Sequence, residues 1–348
     1  MDAGQRRAVL AALGAALLFG ASTPAAKVLL GDTSPLLLAG LLYLGSGTGL
    51  AIYRVLARVP RISMSRPDTL WLAGAILAGG IAGPALLMAG LARMPASEAS
   101  LLLNGEGVFT ALIAWFVFRE NVDFRVAIGM LLIVAGGAAL SWPQAGGRGD
   151  ALGAVLVVAA CLAWGIDNNL TRKVSLNDAS RIAMLKGLVA GTTNVVLALA
   201  AGARLPGLAV GASALAVGFL GYGVSLALFV VALRGLGTAR TGAYFSTAPF
   251  AGALLSVAFL GDGVGVPLAL AAALMAVGVW LHLSEHHDHL HSHAPVEHEH
   301  EHEHDEHHLH AHPPGQAPGP ERHSHAHRHE RLAHRHGHFP DAHHRHDH

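Results

Sequence analysis

The first 281 residues of this chain contain no histidine, although the whole chain of 348 residues contains 25. Charge is also scarce: Asp, Glu, Lys and Arg make up 13% of the chain, against roughly a quarter in a soluble domain. The single cysteine, Cys161, excludes an internal disulfide. The sequence lacks a GxxxxGK motif followed by Ser or Thr, which argues against an ATP-driven pump. It also lacks a basic stripe with interleaved aromatic residues, which argues against a nucleic-acid partner.

Long apolar runs fill the histidine-free part of the chain. A hydrocarbon core of about 30 Å needs roughly 20 apolar residues per helix, and the abundant Gly and Ala suit helices that pack closely in lipid. The runs predict an all-α membrane protein with ten spans, the first of which is an uncleaved span rather than a signal peptide. The predicted spans are 8–30, 35–52, 69–92, 99–118, 126–142, 152–170, 183–201, 214–233, 242–260 and 266–283.

Basic residues are distributed unevenly over the connections, and cytoplasmic connections are the ones that carry an excess of Lys and Arg. The N-terminus and the even-numbered connections contain Arg6, Arg7, Arg54, Arg58, Arg61, Arg66, Arg119, Arg125, Arg172, Lys173, Arg181, Arg234 and Arg240. The odd-numbered connections contain only Lys27, Arg93, Arg148 and Arg204. This bias predicts an inner (plasma) membrane protein with a cytoplasmic N-terminus, and ten spans return the C-terminus to the cytoplasm.

The first five spans resemble the second five. Phe19-Gly20 followed by Lys27 parallels Trp164-Gly165 followed by Arg172 at an offset of 145, and residues 114–120 parallel 256–262 at an offset of 142. Gly136 falls opposite Gly278 at the same offset of 142. Because five is odd, the second copy enters the membrane from the opposite side. The pattern therefore predicts two inverted repeats, which are a common basis of alternating access.

This arrangement resembles the drug/metabolite transporter superfamily, specifically its EamA-type ten-helix members, over about residues 8–283. The aromatic-Gly motifs carry the resemblance, together with Glu120 and Asp262 at the ends of spans four and nine and Pro249 in span nine. The resemblance implies ten helices around a central cavity and non-enzymatic secondary transport, mostly export of small solutes. The chain departs from the family at 104–107, where Asn-Gly-Glu-Gly stands in place of a frequent Pro.

The expected organisation is a first repeat at 1–142, a second repeat at 143–283 and a disordered tail at 284–348. The tail has almost no apolar content, so it cannot bury a core. The expected partners are the lipid bilayer and a small solute or metal ion. Formation of a homodimer is an open alternative.

Several polar residues fall inside the predicted spans, where an ionisable side chain costs roughly 2.5–3.5 kcal/mol on insertion scales. Asn104 and Glu106 lie in span four, and Asp167, Asn168 and Asn169 lie in span six. We predict that these five residues line a substrate or ion path. The alternative for Glu106 is an ion pair that serves packing. The alternative for the span-six group is a position among lipid headgroups.

Four further residues complete the predicted path. Lys186 in span seven either pairs with a carboxylate or snorkels to the cytoplasmic surface, and snorkelling is favoured. Lys27 matches the basic position of the family and lies near the outer interface. Tyr244 and Ser246 in span nine are substrate ligands or, alternatively, form hydrogen bonds between helices.

The tail alternates His with acidic residues at 297–304 and carries further His clusters beyond a Pro- and Gly-containing linker. Imidazole suits Ni, Cu, Zn and Co, so the pattern predicts that the tail binds a divalent metal. The alternative is a pH-responsive polyelectrolyte. The candidate ligands are His298, His300, His302, His304, His307, His308, His310, His312, His323, His325, His327, His329, His334, His336, His338, His343, His344, His346 and His348.

Together these features predict export of a divalent transition metal, Ni²⁺ or Co²⁺ first, with the cytoplasmic tail collecting or sensing the ion. Two alternatives stay open. One is EamA-type export of amino acids or small metabolites with metal regulation at the tail. The other is a membrane-anchored metal sensor or store. No cofactor is required beyond the metal at the tail.

Overall fold

A computed structural model describes residues 3–59, 66–118, 124–141, 151–174 and 178–283, together with four short segments of the tail. The chain divides into two compact units, Met1–Glu285 and His286–His348. The first unit is built from helices, and the second contains short strands.

The described residues of the first unit form thirteen α-helices and two π-helical segments. In chain order the α-helices are α1 (Ala3–Leu29), α2 (Pro35–Leu56), α3 (Arg66–Ala75), α4 (Gly83–Leu91), α5 (Ala96–Leu102), α6 (Gly105–Phe116), α7 (Phe124–Ser141), α8 (Ala151–Arg172), α9 (Ala179–Ala200), α10 (Leu208–Gly218), α11 (Ser225–Phe245), α12 (Ala248–Leu260) and α13 (Val266–Leu283). The π segments, Ile76–Ala82 and Phe219–Val224, join α3 to α4 and α10 to α11.

The helices match the ten predicted spans. Seven of them, counting helices that continue through a π segment or a short turn as one, are long and apolar enough to cross a membrane. Three shorter apolar helices, Phe124–Leu140, Ala248–Leu260 and Val266–Leu281, supply the rest. Large apolar side chains are exposed along these helices, as Leu10, Leu13 and Leu17 are on one face of α1. An apolar stripe facing outward suits lipid rather than water.

The connection between spans eight and nine differs from the prediction. The sequence predicts a break at 234–241, but α11 continues through this region to Phe245. The chain turns instead at Ser246 and Thr247, inside predicted span nine. The region 234–241 contains no proline to stop a helix. Pro249 comes two residues after the turn, in the first turn of α12, where its missing N–H costs nothing.

The two repeats share their irregularities as well as their helices. The π segments begin at Ile76 and Phe219, an offset of 143. The turn at 103–104 between α5 and α6 recurs at 246–247 between α11 and α12, again at an offset of 143. Irregular backbone at membrane depth is tolerated only where protein or water satisfies it. Its presence at equivalent places in both halves confirms the predicted two-repeat architecture.

Helices α7 and α13 pack in a reciprocal contact. A Cβ atom added to Gly136 would lie 3.1 Å from the Ala271 carbonyl oxygen, and one added to Gly278 would lie 2.7 Å from the Gly129 carbonyl oxygen. Both the glycines and the carbonyls are related by the offset of 142. The predicted correspondence of Gly136 and Gly278 is therefore a spatial one, and each glycine permits the backbones to approach.

The described residues of the tail form four strands: β1 (His287–His293), β2 (Glu297–His302), β3 (His323–Arg328) and β4 (Leu332–His338). Strand β1 pairs with β4, and β2 pairs with β3, both antiparallel and both as two-stranded sheets. The sequence predicts no regular structure in this region, so the strands are an addition to the prediction. A two-stranded sheet is marginally stable in water by itself. The expectation that the tail lacks a hydrophobic core stays a prediction.

Candidate functional site

Glu106 lies in the first turn of α6, directly after the turn that interrupts span four. Its Oε1 accepts a hydrogen bond of 2.8 Å from Nδ2 of Asn168, which also donates to Oγ1 of Thr110 at 3.1 Å. The positive end of the α6 dipole further favours the charged carboxylate. Within the described residues, no Lys or Arg forms an ion pair with Glu106. The carboxylate is held by neutral groups.

Asn168 is exposed although it lies within an apolar helix. The exposed apolar residues of α8, such as Leu152, Val158 and Leu162, form a stripe that faces outward. At 100° per residue, Asn168 lies about 140° around the helix from the centre of this stripe. Its amide contacts α6 instead. The exposed side chain of Asn168 therefore lies on the face of α8 opposite the apolar stripe, next to Glu106.

Asp167 and Lys186 form an ion pair between α8 and α9. Nζ of Lys186 lies 2.6 Å from both carboxylate oxygens of Asp167, and Oγ1 of Thr171 donates to Oδ1 at 2.8 Å. The side chains are 17% and 6% exposed for Lys186 and Asp167. Of the two sequence alternatives for Lys186, the structure shows pairing, and the favoured expectation of snorkelling is wrong.

Gly79, in the first π segment, leaves the space that the Asp167 side chain occupies. A Cβ atom at this position would overlap the Asp167 carboxylate. The carbonyl of Gly79 accepts hydrogen bonds from Oη of Tyr43 at 3.0 Å and from Nε1 of Trp164 at 2.9 Å. Nδ2 of Asn194 donates a hydrogen bond of 3.3 Å to the carbonyl of Ile81, two residues further along the π segment. Side chains from α2, α8 and α9 thus satisfy the irregular backbone of the π segment.

Substitution of Gly79 by Ala is expected to destabilise the protein by roughly 1–3 kcal/mol, because the new methyl group displaces the Asp167 carboxylate and its ion pair with Lys186. Thermal unfolding of the detergent-purified protein measures this loss. Gly107→Ala is the matched control, since a Cβ atom there meets nothing within 4 Å. Equal stability of the two variants would contradict the role of Gly79.

An aromatic row continues from Gly79 toward α11. Tyr43 lies 5.7 Å from Tyr222 between ring centroids, and Tyr222 lies 5.6 Å from Phe19 in an edge-to-face contact. Phe19 in turn lies 5.4 Å from Phe245. All four rings are partly exposed. We call Tyr43, Tyr222, Phe19 and Phe245 the aromatic row.

Two predicted path residues lie in contacts between helices. Nδ2 of Asn104 donates to the Leu101 carbonyl at 2.9 Å and lies 3.9 Å from Sδ of Met275 in α13. Nδ2 of Asn169 donates to the Thr110 carbonyl at 3.1 Å, so it ties α8 to α6. Both side chains are buried. The structure therefore does not bring Asn104 or Asn169 against the Glu106 carboxylate.

The remaining predicted residues lie away from Glu106. Nζ of Lys27 donates to the carbonyls of Leu91 and Met94, at 2.6 and 2.9 Å, and so caps the end of α4. Tyr244 packs against the small buried cluster of α1 and α11. Ser246 lies in the turn that precedes α12. Glu120, part of the family motif, lies outside the described residues.

Sequence reasoning missed a site role for Thr110, Gly79 and the aromatic row, of which it named only Phe19, as part of the repeated aromatic-Gly motif. Thr110 follows Glu106 by four residues, so helical periodicity places the two on one face and was the available signal. Gly79 and the aromatic residues gave no comparable signal, because their role depends on which helices meet.

Arg54 and Asp178 join the two repeats at the predicted cytoplasmic ends of α2 and α9. Asp178 caps α9, and Arg54 donates to both Asp178 and Ser180. Partial burial raises the pKa of Asp178, but hydrogen bonds from Ser180, Arg54 and Arg181 outweigh burial and lower it. The contact therefore stabilises the fold above the unfolded pKa of about 3.9, and this stabilisation is lost as the pH falls through the folded pKa.

The tail supplies a second candidate site. Nine predicted ligands lie in described strands: His298, His300 and His302 in β2, His323, His325 and His327 in β3, and His334, His336 and His338 in β4. The others, His304, His307, His308, His310, His312, His329, His343, His344, His346 and His348, lie outside the described residues. Strand β1 adds His287, His289, His291 and His293, which the predicted ligand set omitted although they show the same alternation.

Two inverted helical repeats, built from helices long and apolar enough to cross a membrane and carrying polar groups within them, define a multi-pass membrane protein. The sequence matches the EamA-like transporter family over residues 6–142 and 151–284. The chain therefore belongs to this family, and the predicted resemblance is confirmed.

Relatives agree with this assignment. A protein of Methanothermobacter thermautotrophicus named as an uncharacterized transporter is 28% identical over 270 residues, which cover 71% of this chain and 77% of that protein. A probable 4-amino-4-deoxy-L-arabinose-phosphoundecaprenol flippase subunit, ArnE of Erwinia tasmaniensis, is 38% identical over 71 residues, which cover 20% of this chain and 65% of that protein. One protein crystal structure aligns with a TM-score of 0.59 at 20% identity, covering 79% of this chain and 95% of that one, and shows the fold alone.

Proposed function

We propose that this transporter exports a small organic solute with a positive charge, such as an amino acid or an amine, through a site at Glu106. The unequal environment of the two intramembrane carboxylates carries the proposal. Lys186 neutralises Asp167 at 2.6 Å, whereas Glu106 is held by the neutral amide of Asn168 at 2.8 Å. A partly exposed carboxylate without a fixed counter-ion is suited to bind a cationic cargo, a proton, or each in turn.

The aromatic row favours an organic cargo over a bare ion. Partly exposed aromatic faces bind apolar groups and attract cations within about 6 Å. Binding sites for small molecules combine such apolar surface with a few placed polar groups. The row reaches Gly79, which lies against the Asp167–Lys186 ion pair between α8 and α9. A cationic head at Glu106 and an apolar body on the row satisfy both the acidic and the aromatic surface.

Counterflow in proteoliposomes tests this proposal. Vesicles loaded with unlabelled lysine, putrescine, leucine or succinate are diluted into the matching labelled compound. We expect accumulation of at least one compound that bears an amino group, and none of succinate, since Glu106 repels a dianion. Accumulation of succinate alone would contradict a site built on a free carboxylate, and accumulation of none of the four would contradict the assigned cargo class. Empty liposomes are the control.

Export of Ni²⁺ or Co²⁺ is the second candidate, and the alternating His-acid tail favours it. A tail on the cytoplasmic side would collect ions where efflux must draw them. Within the described helices, however, no three His, Cys, Asp or Glu side chains form a metal-holding group. A bare ion would meet mainly oxygen ligands at Glu106, which suits a borderline metal poorly.

Metal content of whole cells distinguishes the two candidates. Cells with and without the protein, and with a variant that lacks 284–348, are challenged with Ni²⁺, Co²⁺ or Zn²⁺ and analysed for elemental content. If the cargo is organic, we expect the metal content of the cells to be unchanged or higher when the protein is present. Any increase should disappear in the variant that lacks 284–348. A fall in one metal that persists without the tail would instead identify the helices as a metal exporter. An increase in metal content without any transport of the tested solutes would favour a membrane-anchored metal sensor or store.

A further inference from the structure

The side-chain amide of Asn168 is held in one orientation between Thr110 and Glu106. Oγ1 of Thr110 donates its only hydrogen to the carbonyl oxygen of Glu106 at 2.8 Å, so towards Asn168 it can only accept. The ionised carboxylate of Glu106 can only accept as well. An amide donates from its nitrogen and accepts at its oxygen. Both contacts therefore require Nδ2, and Oδ1 of Asn168 is turned away from them.

Two acceptor oxygens are left over at this site. The two N–H groups of the Asn168 amide serve Oε1 of Glu106 and Oγ1 of Thr110. In the described part of the chain, no donor contacts Oδ1 of Asn168 or Oε2 of Glu106. These oxygens belong to the amide and the carboxylate that the 2.8 Å contact joins, so they lie close together. A solute that displaces water here must replace the hydrogen bonds of that water.

One carboxylate oxygen beside one amide oxygen suits a head group that has both a positive charge and several N–H donors. A primary ammonium has the charge and three donors. A quaternary ammonium has the same charge and no donor. Either head group neutralises Glu106, but only the primary ammonium also donates to Oδ1 of Asn168. A site that is built to hydrogen-bond an N–H group rejects the analogue that lacks it, because the acceptor is then left unpaired.

We propose that Asn168 determines the specificity of this site, with Oδ1 accepting a hydrogen bond from a primary ammonium that is paired with Glu106. The transporter then selects primary amines and rejects fully methylated ones. Thr110 is a positioning residue, because its hydroxyl fixes the orientation of the amide. This inference rests on the proposed cationic cargo at Glu106 and adds which cations bind. The aromatic row by itself would favour the opposite choice, since aromatic faces bind quaternary ammonium groups without any N–H donor.

Displacement of a bound label from the full-length, detergent-purified protein measures this selectivity. The labelled probes are lysine, putrescine and leucine. Each is displaced by its unlabelled parent compound or by the derivative in which every amino group is trimethylated, which keeps the charge and removes the N–H donors. We expect wild type to bind at least one parent compound about tenfold or more tightly than its derivative, because the derivative leaves Oδ1 unpaired.

Asn168→Leu separates hydrogen bonding from bulk. Leucine has nearly the size and shape of asparagine, so selection by bulk stays while Oδ1 is removed. We expect the preference for the parent compound to fall to about threefold or less, because no acceptor is left to lose its donor. Asn169→Leu is the matched control, since that amide donates to the carbonyls of Thr110 and Gly165 and not to the carboxylate. It should keep the wild-type preference, which is a ratio and does not depend on how much protein folds.

An unchanged preference in Asn168→Leu would overturn the role of Asn168 and leave bulk as the cause. Equal affinity of wild type for parent and derivative would overturn selection of a primary ammonium and favour the aromatic row as the cation site. Binding of none of the probes would also overturn it, because no ammonium would then be recognised.

Counterflow tests the proposed function separately. Selective binding without counterflow would support recognition by Asn168 and contradict export. Counterflow of the trimethylated derivatives as fast as of their parent compounds would support export and contradict selection by Asn168.

Discussion

Glu106→Gln is expected to abolish transport while the protein still folds and inserts. Glutamine keeps the size of the side chain and can still accept the hydrogen bond from Asn168, but it removes the charge that would bind a cation or a proton. Loss of one partner from a desolvated charged contact costs roughly 2–5 kcal/mol. The expected fall in transport is therefore about 30-fold or more.

Counterflow of labelled lysine, or of whichever amine the wild type accumulates, measures this fall. Asp32→Asn is the matched control, because it removes an acidic charge from an exposed position in the first connection. Transport by Glu106→Gln within about twofold of wild type would remove Glu106 from the site. A variant that fails to reach the membrane is recognised by size-exclusion chromatography before the assay.

The helices and their repeat could be predicted because both are written in local sequence. Apolar runs of about 20 residues mark spans without any tertiary knowledge. The offset of 142 between Gly136 and Gly278 marked a correspondence that the α7–α13 contact bears out. The connection between spans eight and nine was harder, because a short polar stretch can continue a helix when no proline stops it.

The site could be predicted only in part, because the sequence does not show which face of each helix meets which neighbouring helix. Asn104 and Glu106 are two residues apart, so on a continuous helix they would point about 200° apart. The amide of Asn104 meets Met275 in α13, while Glu106 meets Asn168 in α8. Nearness in sequence suggested a joint role that the fold does not give them.

Lys186 shows the opposite case. Its distance from Asp167 in sequence is 19 residues, and only the packing of α8 on α9 joins them. Snorkelling was favoured since a lysine near a helix end can reach water at low cost. A buried carboxylate at the same depth changes the balance, because each charge then offsets the desolvation of the other.

Lys186→Met is expected to destabilise the protein by about 3–5 kcal/mol, because it leaves the Asp167 carboxylate buried without its counter-ion. Asp167 is 6% exposed, and Thr171 offers it only one neutral hydrogen bond. Thermal unfolding in detergent, followed by fluorescence-detected size exclusion, measures the loss. The double variant with Asp167→Asn and Lys186→Met removes both charges and should recover most of the stability, to within about 1 kcal/mol of wild type.

Recovery in the double variant also decides what the ion pair does in transport. If the stable double variant still carries cargo, the pair holds α8 against α9 and Glu106 alone binds. If it is stable but inactive, Asp167 and Lys186 take part in the transport cycle. Transport then requires both the paired carboxylate of Asp167 and the carboxylate of Glu106, which has no fixed counter-ion. A double variant as unstable as Lys186→Met would contradict the coupling, because the cost would then not arise from an unpaired charge.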